Sequence, residues 1–320
     1  MKLIRGIDNI RPEHADSVLT IGNFDGVHRG HQQVIGQLIA EAKRLGKKTT
    51  VMLFEPQPME FFAAELAPER ISSFRDKYQQ LAALGVDQLL AVRFCQRFAA
   101  LSAEQFIEYL LVQQLAVCHL VIGDDFRFGW QRSGDFAMLQ AAGQTHGFSV
   151  QNTESFCARG ERISSTRIRQ ALNQGNFACV NDWLGRRYQI SGKVAHGQKL
   201  GRQLGFPTAN LHLPRGSSPL RGVYAVMVRM VNGQALQWPA IANLGKRPTA
   251  NGHELLFEVH ILDQQLSLYG QRLVVEPLMK LRDEVKFDSL DALKQQVHAD
   301  IRRARIWFDN QDYLTGTVDR

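Results

Sequence analysis

Cysteine is scarce in this 320-residue chain: Cys95, Cys118, Cys157 and Cys179 stand far apart, and no two form a Cys-x-x-Cys pair. That excludes a zinc ribbon or a dithiol redox centre and leaves free, mostly buried thiols without disulfides as the expectation. No uninterrupted apolar stretch approaches membrane-spanning length, and no low-complexity tract or internal repeat is visible. The opening Met1-Lys2-Leu3-Ile4-Arg5-Gly6-Ile7-Asp8 carries no signal-type apolar region. A cytoplasmic protein with no membrane role is therefore expected. Acidic residues are outnumbered, 31 against 38 Lys and Arg, for a formal charge of +7. The basic excess is scattered rather than gathered in a tract, so it suits phosphorylated substrates better than nucleic acid.

What is present is enough for two domains with separate cores. Apolar runs at 18–22, 49–54, 88–93, 119–123 and 148–151 alternate with helical patterns near 31–45, 75–84, 102–115 and 134–146, which predicts an α/β fold with a doubly wound, Rossmann-like parallel sheet. Ser102 and Gln105 fit a capping box on the third helix. A short closing helix is expected from Phe177 to Leu184, and Gly185-Arg186-Arg187 reads as a linker, giving domains 1–184 and 185–320. Beyond it, strands at 188–195, 208–213, 222–231, 237–243, 254–262 and 271–281 follow one another without long helices, the pattern of an antiparallel β-barrel. One amphipathic helix, 290–308, closes the chain with Leu293, Val297, Ile301 and Ile306 available for packing, and the residues through Arg320 are expected to be loose.

The first strong motif follows the strand Val18-Leu19-Thr20-Ile21: Gly22-Asn23-Phe24-Asp25-Gly26-Val27-His28-Arg29-Gly30-His31. Glycines let backbone amides approach a ligand, the next helix adds its unsatisfied N–H groups, and two histidines three apart share one helical face. Composition alone would produce His-x-Gly-His roughly 0.025 times in such a chain. A plain phosphate-binding turn with incidental histidines, or a two-histidine metal site, are the competing readings, though no third ligand sits at metal-site spacing. The chemical reading is nucleotidyl transfer, in which imidazole and backbone donors meet the charge that builds on an attacked α-phosphate.

These ten residues resemble the GxFDGxHxGH signature of the FMN adenylyltransferase domain in bacterial bifunctional riboflavin kinase/FAD synthetases. Ile163-Ser164-Ser165-Thr166-Arg167-Ile168-Arg169 resembles that domain's ISSTxxR element, with Arg169 on the family arginine and Arg167 on a variable position. Read on its own, the segment is a helix from Arg167 to Gln174, capped by Ser164 or Ser165 and stopped at Gly175. Val121-Ile122-Gly123-Asp124-Asp125-Phe126-Arg127-Phe128-Gly129 brings carboxylates and two phenylalanines to a strand end; it is similar to the family's flavin-binding GxDFxFG segment, and core packing of the phenylalanines is the plainer alternative. Phe54-Glu55-Pro56-Gln57-Pro58 resembles an FxPHP turn, but Gln57 replaces the usual histidine and receives no role.

A second strong signal runs His196-Gly197-Gln198-Lys199-Leu200-Gly201-Arg202-Gln203-Leu204-Gly205-Phe206-Pro207-Thr208-Ala209-Asn210. It is not a Walker A loop, which needs Gly-Lys followed by Ser or Thr. Thr208 and Asn210 lie two apart on a predicted strand, so their oxygens share a face and suit Mg²⁺ on ATP phosphates. An ordinary loop is the alternative. The segment resembles the GxxxGRxxGFPTAN pattern of riboflavin kinase domains, and Gly222-Val223-Tyr224, Asn243-Leu244-Gly245-Lys246-Arg247-Pro248-Thr249 and Leu268-Tyr269-Gly270 resemble later elements in the same order. Glu258 matches the family glutamate that accepts a proton from riboflavin's neutral 5'-hydroxyl; strand alternation puts it with His260 opposite Phe257, Val259 and Ile261.

The resemblance implies an enzyme that phosphorylates riboflavin to FMN in the C-terminal barrel and adenylylates FMN to FAD in the N-terminal domain, with ATP as co-substrate and Mg²⁺ as cofactor. His28, His31 and Glu258 would be catalytic. Gly22, Asn23, Phe24, Gly26, Gly30, Ser164, Ser165, Thr166, Arg169, Gly197, Gly201, Arg202 and Gly205 would bind nucleotide; Asp125, Phe126, Phe128 and Asn243 flavin; Thr208 and Asn210 the metal. Two rivals stay open: a nucleotidylyltransferase for another phosphorylated acceptor with the barrel as a binding module, and a basic RNA-binding protein on a nucleotide fold, although interleaved aromatic and basic platforms are lacking. Oligomeric state is not legible in the sequence.

Overall fold

A computed structural model of the chain describes residues 1–123, 125–153, 157–158, 161–196, 201, 205–213, 218–231, 236–249, 252–264 and 266–311. The first unit is built on a six-stranded parallel sheet: β1 (Lys2–Arg5), β2 (Ser17–Ile21), β3 (Lys48–Phe54), β4 (Gln88–Val92), β5 (His119–Gly123) and β6 (Ser149–Thr153), in the order β1-β4-β3-β2-β5-β6. Every residue of β2 and β4 is buried, as strands covered on both faces must be. From β2 the chain winds outward to β3 and β4 on one side, then returns to β5 and β6 on the other. The switch between β2 and β5 is where such sheets open a ligand crevice.

Helix α1 (Arg29–Leu45) buries Ile35, Leu38 and Ala42 on one face and ends at Gly46, whose φ of 66° is left-handed. Short α2 (Pro58–Phe62) precedes α3 (Phe74–Ala83), and short α4 (Gln96–Ala99) precedes α5 (Ala103–Gln105). The capping box of Ser102 and Gln105 is formed, but α5 continues as a π-helix over Phe106–Gln114, a widening that the apolar periodicity did not predict. Asp135 caps α6 (Phe136–His146) by accepting from the Met138 N–H. Strand β1 was also not predicted: Leu3 and Ile4, flanked by Lys2 and Arg5 at a sheet edge, carry little apolar signal.

A two-stranded ribbon, β7 (Cys157–Ala158) and β8 (Glu161–Arg162), leads to α7 (Ser165–Gln174) and α8 (Phe177–Leu184). Helix α7 starts at Ser165, two residues before the expected Arg167, and stops at Gly175 with φ 73°. The second unit is a closed barrel of β9 (Ile190–Ala195), β10 (Ala209–His212), β11 (Gly222–Met230), β12 (Trp238–Thr249), β13 (Gly252–Ile261) and β14 (Arg272–Arg282), in the order β10-β13-β12-β11-β14-β9 with every pairing antiparallel. Helix α9 (Leu290–Asn310), capped by Ser289, buries Ala304 and Phe308 against Val223, Ala225 and Ile241. Val297 and Ile301 join this packing, whereas Ile306 is 62% exposed and does not, because it falls on the solvent side of the helical turn.

Packing divides the chain into Met1–Pro68 with Phe74–Ser165, and Glu69–Ser73 with Thr166–Arg320. This division lies ahead of the 184/185 boundary read from the sequence because α7 and α8 pack with the barrel. The Phe177 ring meets Tyr224 edge-on at 5.9 Å, and Lys280 Nζ donates to the Asn173 carbonyl at 2.9 Å. Cys95, Cys118 and Cys179 are free thiols, half-buried rather than buried as expected. The Cys157 side chain and residues 312–320 lie outside what is described.

Candidate active sites

At the β2/β5 switch a cavity of about 330 Å³ collects Gly22, Asn23, Phe24, His28, Gly30 and His31 from the first motif, Asp125 from the β5 segment, and Ser164 and Ser165 from a motif some 130 residues downstream. The turn is held in unusual backbone: Phe24, Gly26 and Val27 have φ of 46°, 82° and 42°. The Ser165 hydroxyl donates to the Asp25 carbonyl at 3.1 Å, tying the two motifs together.

The histidines are locked by the helix they begin. His28 is the N-cap of α1, and its Nδ1 accepts the His31 backbone N–H at 3.3 Å. A ring nitrogen that accepts carries no proton, so neutral His28 keeps its hydrogen on Nε2. The two rings stack with centroids 3.6 Å apart, and Phe24 meets His31 edge-on at 5.2 Å. Burial, reinforced by His28 and the Lys77 cation, holds His31 well below the ordinary histidine range, so it is neutral at pH 7. Its Nδ1 is buried and finds no hydrogen-bond partner among the described residues.

Several expected residues do not line this cavity. Gly26 is buried behind the turn, and Thr166 and Arg169 do not line it; Arg169 Nε instead donates to the Glu69 carbonyl at 2.6 Å. Phe126 and Phe128 stack on each other at 5.6 Å and pack with the hydrophobic core, the plainer of their two readings. Two residues were missed from the sequence. Arg162, on β8, lines the cavity and pairs with Asp125 at 3.2 Å; Lys77, on α3, is fully buried and donates to the Asn23 carbonyl at 2.6 Å. Neither stands within a recognisable motif, and a buried lysine gives no periodic signal because its polar type predicts a surface position.

The barrel carries two neighbouring cavities. One, about 550 Å³, is lined by Gly205, Pro207, Thr208, Val259, Leu268 and Tyr269 among others. The second, about 240 Å³, is covered by α9 and takes in Gly201, Thr208, Asn243, Glu258, His260 and Arg282. Thr208 lines both. Register places Glu258 on β13 directly between Asn210 on β10 and Asn243 on β12. Glu258 and His260 face the second cavity while Phe257, Val259 and Ile261 are buried, as alternation predicts. A Cβ on Gly201 would lie 2.6 Å from the Phe206 carbonyl, so glycine alone permits this approach of the loop to Thr208. Gly197 and Arg202 lie outside the described residues. At the α9 side, Asp300 is 4% exposed and receives Arg282 Nε at 2.9 and 3.1 Å.

A doubly wound sheet with a His-x-Gly-His turn at its switch point, followed by a closed barrel with two cavities that share Thr208 and a carboxylate in one of them, defines a two-unit enzyme of nucleotide and phosphoryl transfer. A family model described as FAD synthetase matches residues 10–167 and one described as riboflavin kinase matches 184–308. The chain belongs to the bifunctional riboflavin kinase/FMN adenylyltransferase family. It is 50% identical over 309 residues to the protein of that name from Escherichia coli K12, covering 96% of this chain and 98% of the relative. The Haemophilus influenzae relative is 46% identical over 310 residues, covering 97% and 100%, and carries the same name. A crystal structure described as a macrolide-efflux protein from Streptococcus pneumoniae superposes with a TM-score of 0.75 at 32% identity, over 95% of this chain and 99% of that one. Among the described residues of this chain, no helix is long and apolar enough to cross a membrane.

Proposed function

We propose that the chain converts riboflavin to FAD in two ATP-dependent steps, phosphorylation in the barrel cavities and adenylylation in the cavity at the β2/β5 switch, with the functional boundary between residues 184 and 185. The riboflavin kinase model begins at 184, beside that boundary, and the FAD synthetase model ends before it, at 167. The enzyme works on small molecules, riboflavin, FMN and ATP, and we assign it to the cytoplasm.

The observation that carries the adenylyl reading is the convergence of His28, His31, Ser164 and Ser165 on one cavity. FMN attacks the ATP α-phosphate through a phosphate oxygen that is already anionic, so the site needs donors rather than a base. His28 offers its Nε2–H, His31 its Nδ1, which has no hydrogen-bond partner among the described residues, and the Asn23–Phe24 turn its amides. All are in place before charge develops. Asp125 stands on the β5 side of the cavity, toward the flavin nucleotide.

In the barrel the reacting hydroxyl is neutral, and its attack on the γ-phosphate releases a proton. Glu258 accepts it. ATP takes the cavity of Gly205 and Tyr269, riboflavin the cavity of Asn243 beneath α9, and the residue common to both, Thr208, marks where phosphate and hydroxyl meet. Mg²⁺ fits the donor set at this junction: the Thr208 hydroxyl and Asn210 amide oxygen are hard ligands next to the Glu258 carboxylate, suited to an ion that shares its shell with phosphates. When bound, the ion neutralises charge on the triphosphate. Incubating the protein with riboflavin, ATP and Mg²⁺ and separating the flavins by chromatography yields both FMN and FAD on this reading; recovery of riboflavin alone overturns it.

A further inference from the structure

Lys77 lies on α3, outside every motif of the chain, yet its side chain is 0% exposed and its Nζ reaches the Asn23 carbonyl at 2.6 Å. A lysine is almost never buried without a specific partner, because taking an ammonium out of water is costly. One partner here is the backbone of the phosphate turn.

That contact has a geometric effect. In a trans peptide the carbonyl and the following N–H point in opposite directions. Drawing the Asn23 oxygen inward to Lys77 turns the Phe24 N–H away from Lys77, and Gly22, Asn23 and Phe24 all line the cavity. The same peptide leads into Phe24, whose φ of 46° is rare for a bulky residue and needs support from its surroundings, and whose ring packs edge-on against His31.

We propose that Lys77 is a positioning residue for adenylyl transfer: by gripping the Asn23 carbonyl, it sets the turn so that the Phe24 amide faces the nucleotide. The inference rests on the adenylyl-transfer reading of this cavity. Lys77 acts through the turn and touches no substrate.

The test uses the full chain carrying Lys77→Met or Lys77→Arg, with the calorimetric unfolding transition of the first unit as the measure of folded protein. Binding of ATP and of inorganic pyrophosphate is followed by calorimetry, and FAD formation from supplied FMN by chromatography. Methionine keeps the apolar stem but neither charge nor donor; arginine keeps both and is bulkier. The expected order is therefore wild type, then Lys77→Arg, then Lys77→Met, with FAD formation in Lys77→Met lower by about 100-fold, the usual effect of losing one preorganised donor, and pyrophosphate affinity reduced in parallel. A lysine that serves only to fill space gives the reverse order, since methionine packs there more easily than arginine, and that result overturns the proposal. So does a folded Lys77→Met chain with unchanged pyrophosphate affinity and FAD formation. Failure of the unsubstituted chain to make FAD would instead remove the underlying reading of the cavity.

Discussion

At Glu258 the proposed demand is for a proton to be taken away, and at His31 for charge to be met, so the two residues separate the two reactions. Replacing Glu258 with Gln keeps shape and hydrogen-bonding reach but removes the base; riboflavin phosphorylation should fall roughly 10²- to 10⁴-fold while adenylylation of supplied FMN is unchanged. Flavin chromatography from each substrate measures this, and wild-type kinase turnover in the variant would return Glu258 to an ordinary strand position. His31→Ala has the opposite signature. FAD formation should drop by about 10²- to 10³-fold with phosphorylation intact, and undiminished FAD formation would take the histidine out of the mechanism. His31 is marked by the His-x-Gly-His turn, whereas Glu258 is marked only by the family resemblance, since an alternating strand tells which face it takes and not what it does. Lys77 and Arg162 were not legible, since each reaches the site from an element whose local sequence does not differ from ordinary helix or hairpin.

Elements were legible where period and caps agreed. Parallel strands β2 to β6 and α1 follow from short apolar runs, a turn of glycines and the Gly46 stop; Ser102 with Gln105 marks the start of α5 as the capping box requires. The π-helix over Phe106–Gln114 was not, because an apolar face read at 3.6 residues per turn does not reveal one extra residue per turn. Helix α9 follows from its amphipathic pattern, but that pattern carries no sign of the helix's most consequential contact, the buried pairing of Asp300 with Arg282 of β14. Gln296 adds a third bond to the same carboxylate at 2.9 Å. Removing one partner of a buried ion pair strands the other, at a typical cost of about 3–5 kcal/mol. Asp300→Ala should therefore lower the thermal unfolding temperature of the barrel unit and loosen α9 over the Glu258 cavity, with FAD formation from FMN preserved. Unchanged calorimetric unfolding would mean that the pair contributes nothing net.

For the whole molecule, composition and motif order sufficed to read two units and the change from parallel sheet to barrel, because helical patterns alternate with strand patterns in the first, whereas strand patterns follow one another without long helical ones in the second. The limit of each unit was harder to read. A glycine-arginine stretch at 185–187 looks like a linker by composition, whereas α7 and α8 before it spend their apolar faces on the barrel, as Phe177 does on Tyr224. Cutting the chain between 184 and 185 should give an N-terminal fragment that adenylylates FMN and a C-terminal fragment that phosphorylates riboflavin. The latter should unfold at a lower temperature than a fragment beginning at 166, which keeps both helices. Thermal unfolding with flavin chromatography distinguishes these outcomes, and two folded but inactive fragments would show that the sites are not independent.

Thr208 stands in the wall between two rooms of the barrel and belongs to both. A synthetic molecule with an adenosine head, a short flexible tether and an isoalloxazine head could occupy both rooms at once, threading past that hydroxyl. Once the first head is seated, the second meets its room at an effective concentration in the millimolar range, so the conjugate should bind far more tightly than either half alone. Lengthening the tether step by step would then measure, in solution, how far apart the two seats lie.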